Sequence, residues 1–258
     1  MSRQILIYEN VVPLNRVQHR DMAVKQTTNF DFTRKTNTVP IVDVEFVKVA
    51  PTLPIVFTRT QTGIVCAALL GAEQDRNSFV AEDGTWEGRY VPAFFRRYPF
   101  VFAVQEGSDR LTLCIDDSYA GLNDRGEGER LFDSTGAETA YTRTVLRFVE
   151  EYQATFNRTQ AFCDRLLASG LLEEARIDYT LPDGKQGGVT GFLRVSVEKL
   201  RNLADDKVLE MFRNGDLDLI QMHLMSMQQV EPLVARIGAA KPAPEAAPEL
   251  LPEAAALN

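Results

Sequence analysis

The sequence predicts an α+β protein in which a mainly antiparallel sheet from the N-terminal half packs against C-terminal helices. Two observations support this prediction. Short apolar runs separated by turn residues fill the chain from Val39 to Ile115, as is typical of strands joined by close turns. After Gly136, apolar residues recur every three or four positions instead, which is typical of amphipathic helices.

The strands are predicted as hairpins. LPIVFT (53–58) and GIVCAALLG (63–71) are apolar runs separated by the four residues 59–62, which predicts one hairpin. Three further hairpins are predicted around turn residues that lie between apolar runs: Asp83-Gly84, Gly107-Ser108-Asp109 and Pro182-Asp183-Gly184.

The helical pattern begins after a polar segment, 121–136, that is predicted to be a loop. A first helix ending at Gly170 is indicated by the spacing of its apolar residues, which are Val145, Phe148, Val149, Tyr152, Phe156, Phe162, Leu166 and Leu167. Two more helical segments are predicted over 197–215 and 216–238.

A single domain is predicted over residues 1–238, with the polar region near 121–137 as a candidate sub-boundary. The last twenty residues, 239–258, contain four prolines and many alanines. A segment with so few large apolar side chains cannot form a core, so it is predicted to be a disordered tail.

Composition excludes several classes of function. The net charge of -8 argues against non-specific nucleic-acid binding, which depends on basic surfaces. We find neither an apolar run long enough to span a bilayer nor a cleavable signal pattern, so a cytoplasmic location is expected. The three cysteines lie far apart among apolar residues and are expected to be buried free thiols.

Metal-dependent catalysis is the alternative function that the residues suggest. The chain has two histidines, and His19-Arg20-Asp21 fits half of a two-His-one-carboxylate iron site, with His223 as the distant third ligand. Such triplets arise easily by chance, and His19 lies in a polar segment without clear strand character. Nucleotide loops and nucleophile elbows are missing from the sequence. We therefore predict no cofactor and no catalytic residue.

Six aromatic residues and two adjacent arginines are concentrated in the stretch YVPAFFRRYPFVF, which we call the aromatic-Arg segment (Tyr90–Phe102). If it is a strand, Arg96 and Arg97 point to opposite faces. In a structural interpretation, one guanidinium stacks on Tyr98 or Phe94, or pairs with Asp116 or Asp117, and the other reaches water.

A functional interpretation of the same segment is a binding patch for an anion or a partner. Its large anchors would be Trp86, Tyr90 and Tyr98, beside the two arginines and the two aspartates. Both interpretations remain open from the sequence.

The aromatic-Arg segment also carries a family resemblance. Together with LPIVFT, NSFVAEDGTW, LCIDDS and HLMSMQQVEPLVAR, it resembles the SapC-like family of bacterial proteins, from about Asn15 to Arg236. The resemblance implies an association with surface-layer loci. It also implies a protein partner of the halogenase-like, oxygenase-like or outer-membrane receptor class, since members of the family are encoded near such proteins. It supplies no catalytic residues.

From the residues and the resemblance together we expect a non-enzymatic binding or accessory protein of a bacterial surface, uptake or modification system. Its partner would be a protein, and its binding surface the aromatic-Arg segment. Surface association without a cleaved signal peptide is the alternative location that the resemblance implies.

Overall fold

The computed structural model describes residues 7–104, 111–180, 184 and 186–239 of the chain. Most strands lie in the first half of these residues and most helices in the second, which confirms the predicted α+β class. Within these ranges, the helices all fall short of the length or apolar character that a bilayer-spanning segment needs. The predicted tail lies outside the described residues from residue 240 onward.

The larger sheet has five strands, all paired antiparallel within the described residues. Its spatial order is β10-β11-β4-β5-β3, where β3 is Thr38–Pro40, β4 is Ile55–Thr60, β5 is Gly63–Leu69, β10 is Leu172–Thr180 and β11 is Gln186–Val195. The predicted hairpin between 53–58 and 63–71 is confirmed as β4–β5. Strands β10 and β11 confirm the hairpin predicted around Pro182-Asp183-Gly184, although residues 181–183 and 185 of its turn lie outside the described residues.

Two smaller antiparallel sheets lie beside the large one. The first has the order β1-β7-β6, where β1 is Val11–Pro13, β6 is Phe100–Val104 and β7 is Leu111–Asp116. Its β6–β7 pair confirms a predicted hairpin whose turn, 107–109, is outside the described residues. The second sheet has the order β8-β2-β9, formed by Ala23–Val24 (β2), Leu122–Asn123 (β8) and Glu129–Arg130 (β9).

The sheet β8-β2-β9 corrects one prediction. Residues 121–136 are not entirely loop, because β8 and β9 flank β2 on its two edges. A two-residue strand is too short to show the alternation that identifies strands in a sequence. The hairpin predicted at Asp83-Gly84 reduces to an isolated bridge between Val80 and Trp86.

The helices follow in chain order. They are α1 (Phe46–Val49), α2 (Ala93–Arg96), α3 (Ala140–Ala168), α4 (Val197–Arg201), α5 (Asp205–Asn214), α6 (Asp216–Ser226) and α7 (Val230–Ala239). The long helix α3 confirms the predicted helix that ends before Gly170. Its N-terminus is capped by Thr139, whose side chain accepts a hydrogen bond from the Thr142 amide at 3.2 Å.

The main core lies between α3 and the large sheet. Phe162 of α3 packs against Phe57 of β4 and Phe46 of α1, with ring centroids 6.2 and 6.4 Å apart. The Sγ atoms of Cys66 on β5 and Cys163 on α3 lie 3.3 Å apart. Cys66, Cys114 and Cys163 are all buried free thiols, as predicted.

Candidate functional site

The aromatic-Arg segment is a short helix followed by a strand. Helix α2 begins after Pro92, β6 begins at Phe100, and the Tyr98–Pro99 peptide between them is cis. The strand interpretation of Arg96 and Arg97 is therefore wrong. Neighbouring helical residues differ in direction by about 100°, so the two side chains still diverge.

Arg97 is a buried cation, with 2% of its surface exposed. Its guanidinium carbon lies 4.4 Å from the ring centroid of Phe94 and 4.7 Å from that of Tyr152, at cation–π distances. Burial raises the pKa of Tyr8 to about 12, although the charge of Arg97 and a hydrogen bond from it act in the opposite direction. The stacking on Phe94 agrees with the structural interpretation.

Arg96 is exposed and is fixed by the loop before it. Its Nε donates to the Val91 carbonyl and its Nη2 donates to the Tyr90 hydroxyl, both at 3.1 Å. Its guanidinium carbon also lies 5.6 Å from the Tyr90 ring centroid and 5.4 Å from that of Phe148. Nη1 donates to none of the described residues, so it is available to a ligand.

A buried carboxylate supports this arrangement. Glu45 accepts hydrogen bonds from the Tyr90 hydroxyl at 2.8 Å, the Ala93 amide at 2.7 Å and the Val42 amide at 3.0 Å. Burial raises the pKa of Glu45, and these three bonds and the charge of Arg96 oppose that rise. The Tyr90 hydroxyl thus connects the buried carboxylate of Glu45 to the exposed guanidinium of Arg96. This connection holds the Arg96 side chain in one position.

Trp86 and Tyr98 pack within a cluster of rings. Trp86 is half-buried, with its ring centroid 5.7 Å from that of Phe30 and 5.8 Å from that of Phe95, and its Nε1 donates to the Tyr90 carbonyl at 3.1 Å. Tyr98 stacks on Phe32, with their ring centroids 4.4 Å apart. Of the two predicted anchors, Trp86 therefore packs against the segment and Tyr98 belongs to it, and part of each surface is taken up by internal packing.

Asp116 and Asp117 hold the N-terminal strand region. Asp116 is buried and accepts from the amides of Glu9 at 2.8 Å and Asn10 at 3.1 Å, and from the Ser118 hydroxyl at 2.6 Å. Burial raises the pKa of Asp116, but these hydrogen bonds outweigh it and the pKa is lowered. Asp117 is exposed and accepts from the Asn10 side chain at 2.6 Å. Neither aspartate lines the cavity described next.

A cavity of about 390 Å³ opens beside the aromatic-Arg segment. The segment contributes Phe95, Arg96, Arg97, Tyr98, Pro99 and Phe100 to its lining. More distant parts of the chain add five further rings, those of Phe30, Phe32, Tyr119, Tyr141 and Phe148. The volume falls within the range of small-molecule sites.

The lining combines aromatic, neutral polar and cationic side chains. Eight aromatic side chains provide apolar faces, Gln26, Thr27 and Thr144 provide neutral polar groups, and two arginines provide charge. Among the lining residues none is acidic. The cavity is therefore suited to an apolar or aromatic group that carries negative charge.

The residues of the metal alternative are placed apart from this cavity. His19 is buried in the turn after β1, where its Nδ1 accepts from the Asn15 amide at 3.2 Å. Asp21 is exposed and accepts from Arg130 Nη2 at 3.2 Å. Across the described ranges, no three His, Cys, Asp or Glu side chains are grouped closely enough to hold a metal ion.

His223 lies in α6 with both ring nitrogens bound to the backbone of the large sheet. Its Nδ1 lies 2.7 Å from the Ile55 carbonyl, and its Nε2 accepts from the Val195 amide at 3.1 Å. Strands β4 and β11 pair through Phe57 and Leu193. Continuing that register by two residues would place Ile55 opposite Val195, and the imidazole bridges these two residues instead.

The family model of SapC matches residues 14–233. The chain belongs to the SapC family. The match confirms the predicted resemblance and covers the whole lining of the cavity. Searches of curated proteins and of solved structures gave no match.

Several residues of the cavity lining are not predicted by the sequence. Phe30, Phe32 and Tyr119 lie far from the aromatic-Arg segment in the sequence, and no local pattern connects them to it. Tyr141, Val145 and Phe148 carried a usable signal, because their spacing places them on one face of α3. Val145 and Phe148 belong to the apolar spacing that predicts α3, and this part of the face lines the cavity.

Proposed function

We propose that this protein is a non-enzymatic binding or accessory protein of a bacterial surface, uptake or modification system, and that the aromatic cavity is its binding site. The observation that supports the proposal is the convergence of eight aromatic side chains and Arg96 on one cavity of about 390 Å³. Sites that bind small molecules are mostly apolar and carry a few fixed polar groups. This lining has that composition.

The arrangement of Arg96 adds to the argument. An exposed guanidinium that is already fixed by Tyr90 and Val91 loses little conformational freedom when a ligand binds. The hydrogen-bonded chain from Arg96 through Tyr90 to Glu45 is therefore interpreted as a support for binding. Partner proteins of the halogenase-like, oxygenase-like or outer-membrane receptor classes would receive or supply the bound group.

The experiment compares a blocked cavity with a matched control. Thr144 lines the cavity on α3, and its hydroxyl donates to the Ala140 carbonyl at 2.9 Å. Thr155 makes the equivalent bond to Glu151 at 2.7 Å on the same helix and does not line the cavity. We would purify tagged wild type, Thr144→Trp and Thr155→Trp from the native host.

Native mass spectrometry and proteomics would identify what each preparation retains. A molecule or protein that co-purifies with wild type and Thr155→Trp, but not with Thr144→Trp, would support the proposed site. Identical contents in all three preparations, or nothing retained by folded wild type, would contradict it.

A further inference from the structure

The size of the cavity limits its ligand. A volume of about 390 Å³ corresponds to the liquid volume of about thirteen water molecules. A ligand that fills it has a number of non-hydrogen atoms in the same range, which corresponds to one ring with a short side chain.

The charge of the lining limits the ligand further. Arg96 and Arg97 are cationic, and the lining residues include no carboxylate. Glu45 is the acid joined to Arg96 through Tyr90, but it is buried and its oxygens already accept three hydrogen bonds. A ligand therefore meets the guanidinium of Arg96 without a competing exposed carboxylate from the lining.

The two arginines have different roles. Arg96 is exposed and has Nη1 available, so it is the donor that a ligand oxygen can reach. Arg97 also lines the cavity but is buried against Phe94 and Tyr152, so it contributes a fixed positive charge. A planar guanidinium forms strong, directional hydrogen bonds with a carboxylate.

We propose that the cavity binds a small aromatic carboxylic acid, with its ring among the aromatic side chains and its carboxylate on Arg96. The inference rests on the proposed binding function and specifies the class of ligand. It also excludes free aromatic α-amino acids. Both arginines would repel the ammonium group of such a ligand, and the lining has no carboxylate to offset this repulsion. The neutral oxygens of Gln26, Thr27 and Thr144 are too weak as partners to compensate.

The test uses three probes with one ring and different charges. 3-Phenylpropionate is an ionised acid at pH 7, 3-phenylpropionamide is its neutral analogue, and phenylalanine is its α-amino acid analogue. Binding to the full-length protein would be measured by calorimetry, with ligand up to about 5 mM, which detects millimolar affinity. We expect the acid to bind at least about tenfold more tightly than either analogue.

Two variants test the assignment to Arg96. Arg96→Met keeps an apolar stem and removes the charge, so its affinity for the acid should fall to that of the amide. Arg147 is exposed on α3 and does not line the cavity, so Arg147→Met is the matched control and should bind like wild type. Circular dichroism would establish that both variants are folded.

The outcomes separate this inference from the function on which it rests. Equal binding of acid and amide, tighter binding of phenylalanine, or an unchanged affinity in Arg96→Met would overturn the assigned class. Absence of binding by all three probes would overturn it as well. In each case the comparison of Thr144→Trp with Thr155→Trp decides separately whether the cavity is a binding site at all.

Discussion

Arg96 and Arg97 are adjacent in the sequence, yet the first guanidinium is exposed beside Tyr90 and the second is buried against Phe94 and Tyr152. One side chain is therefore available for binding, and the other is part of the core. A double substitution would combine the loss of a ligand contact with a loss of stability. The two positions need to be changed singly.

Single substitutions should separate the two arginines by stability. Arg97→Ala removes a buried side chain from between aromatic rings and should lower the free energy of unfolding by about 3 kcal/mol. Arg96→Ala removes an exposed side chain and should cost less than about 1 kcal/mol. Urea denaturation followed by circular dichroism would measure both, and equal losses would contradict the assigned roles.

His223 should be a strong determinant of stability. His223→Ala removes the partners of the Ile55 carbonyl and the Val195 amide, both inside the protein. Each unsatisfied buried group costs about 1–3 kcal/mol, so a loss of about 3 kcal/mol is expected. Gln221→Ala on the exposed side of the same helix is the control and should change stability by less than about 0.5 kcal/mol.

The same histidine should make stability depend on pH. Burial lowers the pKa of His223 to about 4, and the charge of Arg194 lowers it too, while the hydrogen bond to Ile55 acts to raise it. The unfolded imidazole, with a pKa near 6.5, takes up its proton first. Its contribution is therefore complete above about pH 6.5 and is lost as the pH falls towards 4, at up to about 1.4 kcal/mol per pH unit.

The measurement is the difference in unfolding free energy between wild type and His223→Ala from pH 8 to pH 4. That difference should narrow through the acid range. All other charged groups are present in both proteins, so their contributions cancel in the difference. A difference that stays constant with pH would show that His223 does not titrate in this way.

The thiols should resist modification in the native state. Burial raises the pKa of Cys66, and the hydrogen bond with Cys163 adds to the rise, while burial also raises the pKa of Cys114. Because thiolates are the reactive species, Ellman's reagent should label none of the three thiols rapidly at neutral pH. In denaturant all three should react, and fast labelling of the native protein would contradict the buried placement.

Local patterns explain which elements the sequence predicted well. The β4–β5 hairpin and α3 have apolar runs or helical spacing long enough to be unambiguous. Helix α2 is not predicted by the sequence, because four helical residues within an aromatic run show no periodicity. Strands β8 and β9 form through pairing with β2, about a hundred residues away, which a local pattern cannot reveal.

The candidate site was predicted in part for the same reason. Arg96, Tyr90 and Tyr98 were identified because they are concentrated in one segment. The residues that complete the site are set by tertiary contacts: Glu45 reaches Tyr90 across 45 positions, and Phe32 stacks on Tyr98. The hydrogen bonds of Asp116 with Glu9 and Asn10, which hold the N-terminal region, are likewise set by tertiary contacts and are not predicted by a local pattern.

The imidazole between Ile55 and Val195 has a consequence for how the chain can be divided. Ser226 of the same helix also accepts a hydrogen bond from the Ile55 amide at 2.9 Å, so one helix satisfies both backbone groups of that residue. A fragment that stops before α6 would leave the backbone groups of Ile55 and Val195 without these partners between two interior strands of the large sheet. The C-terminal helices therefore complete the sheet, and a version of this protein shortened before α6 should be much less stable than the full chain.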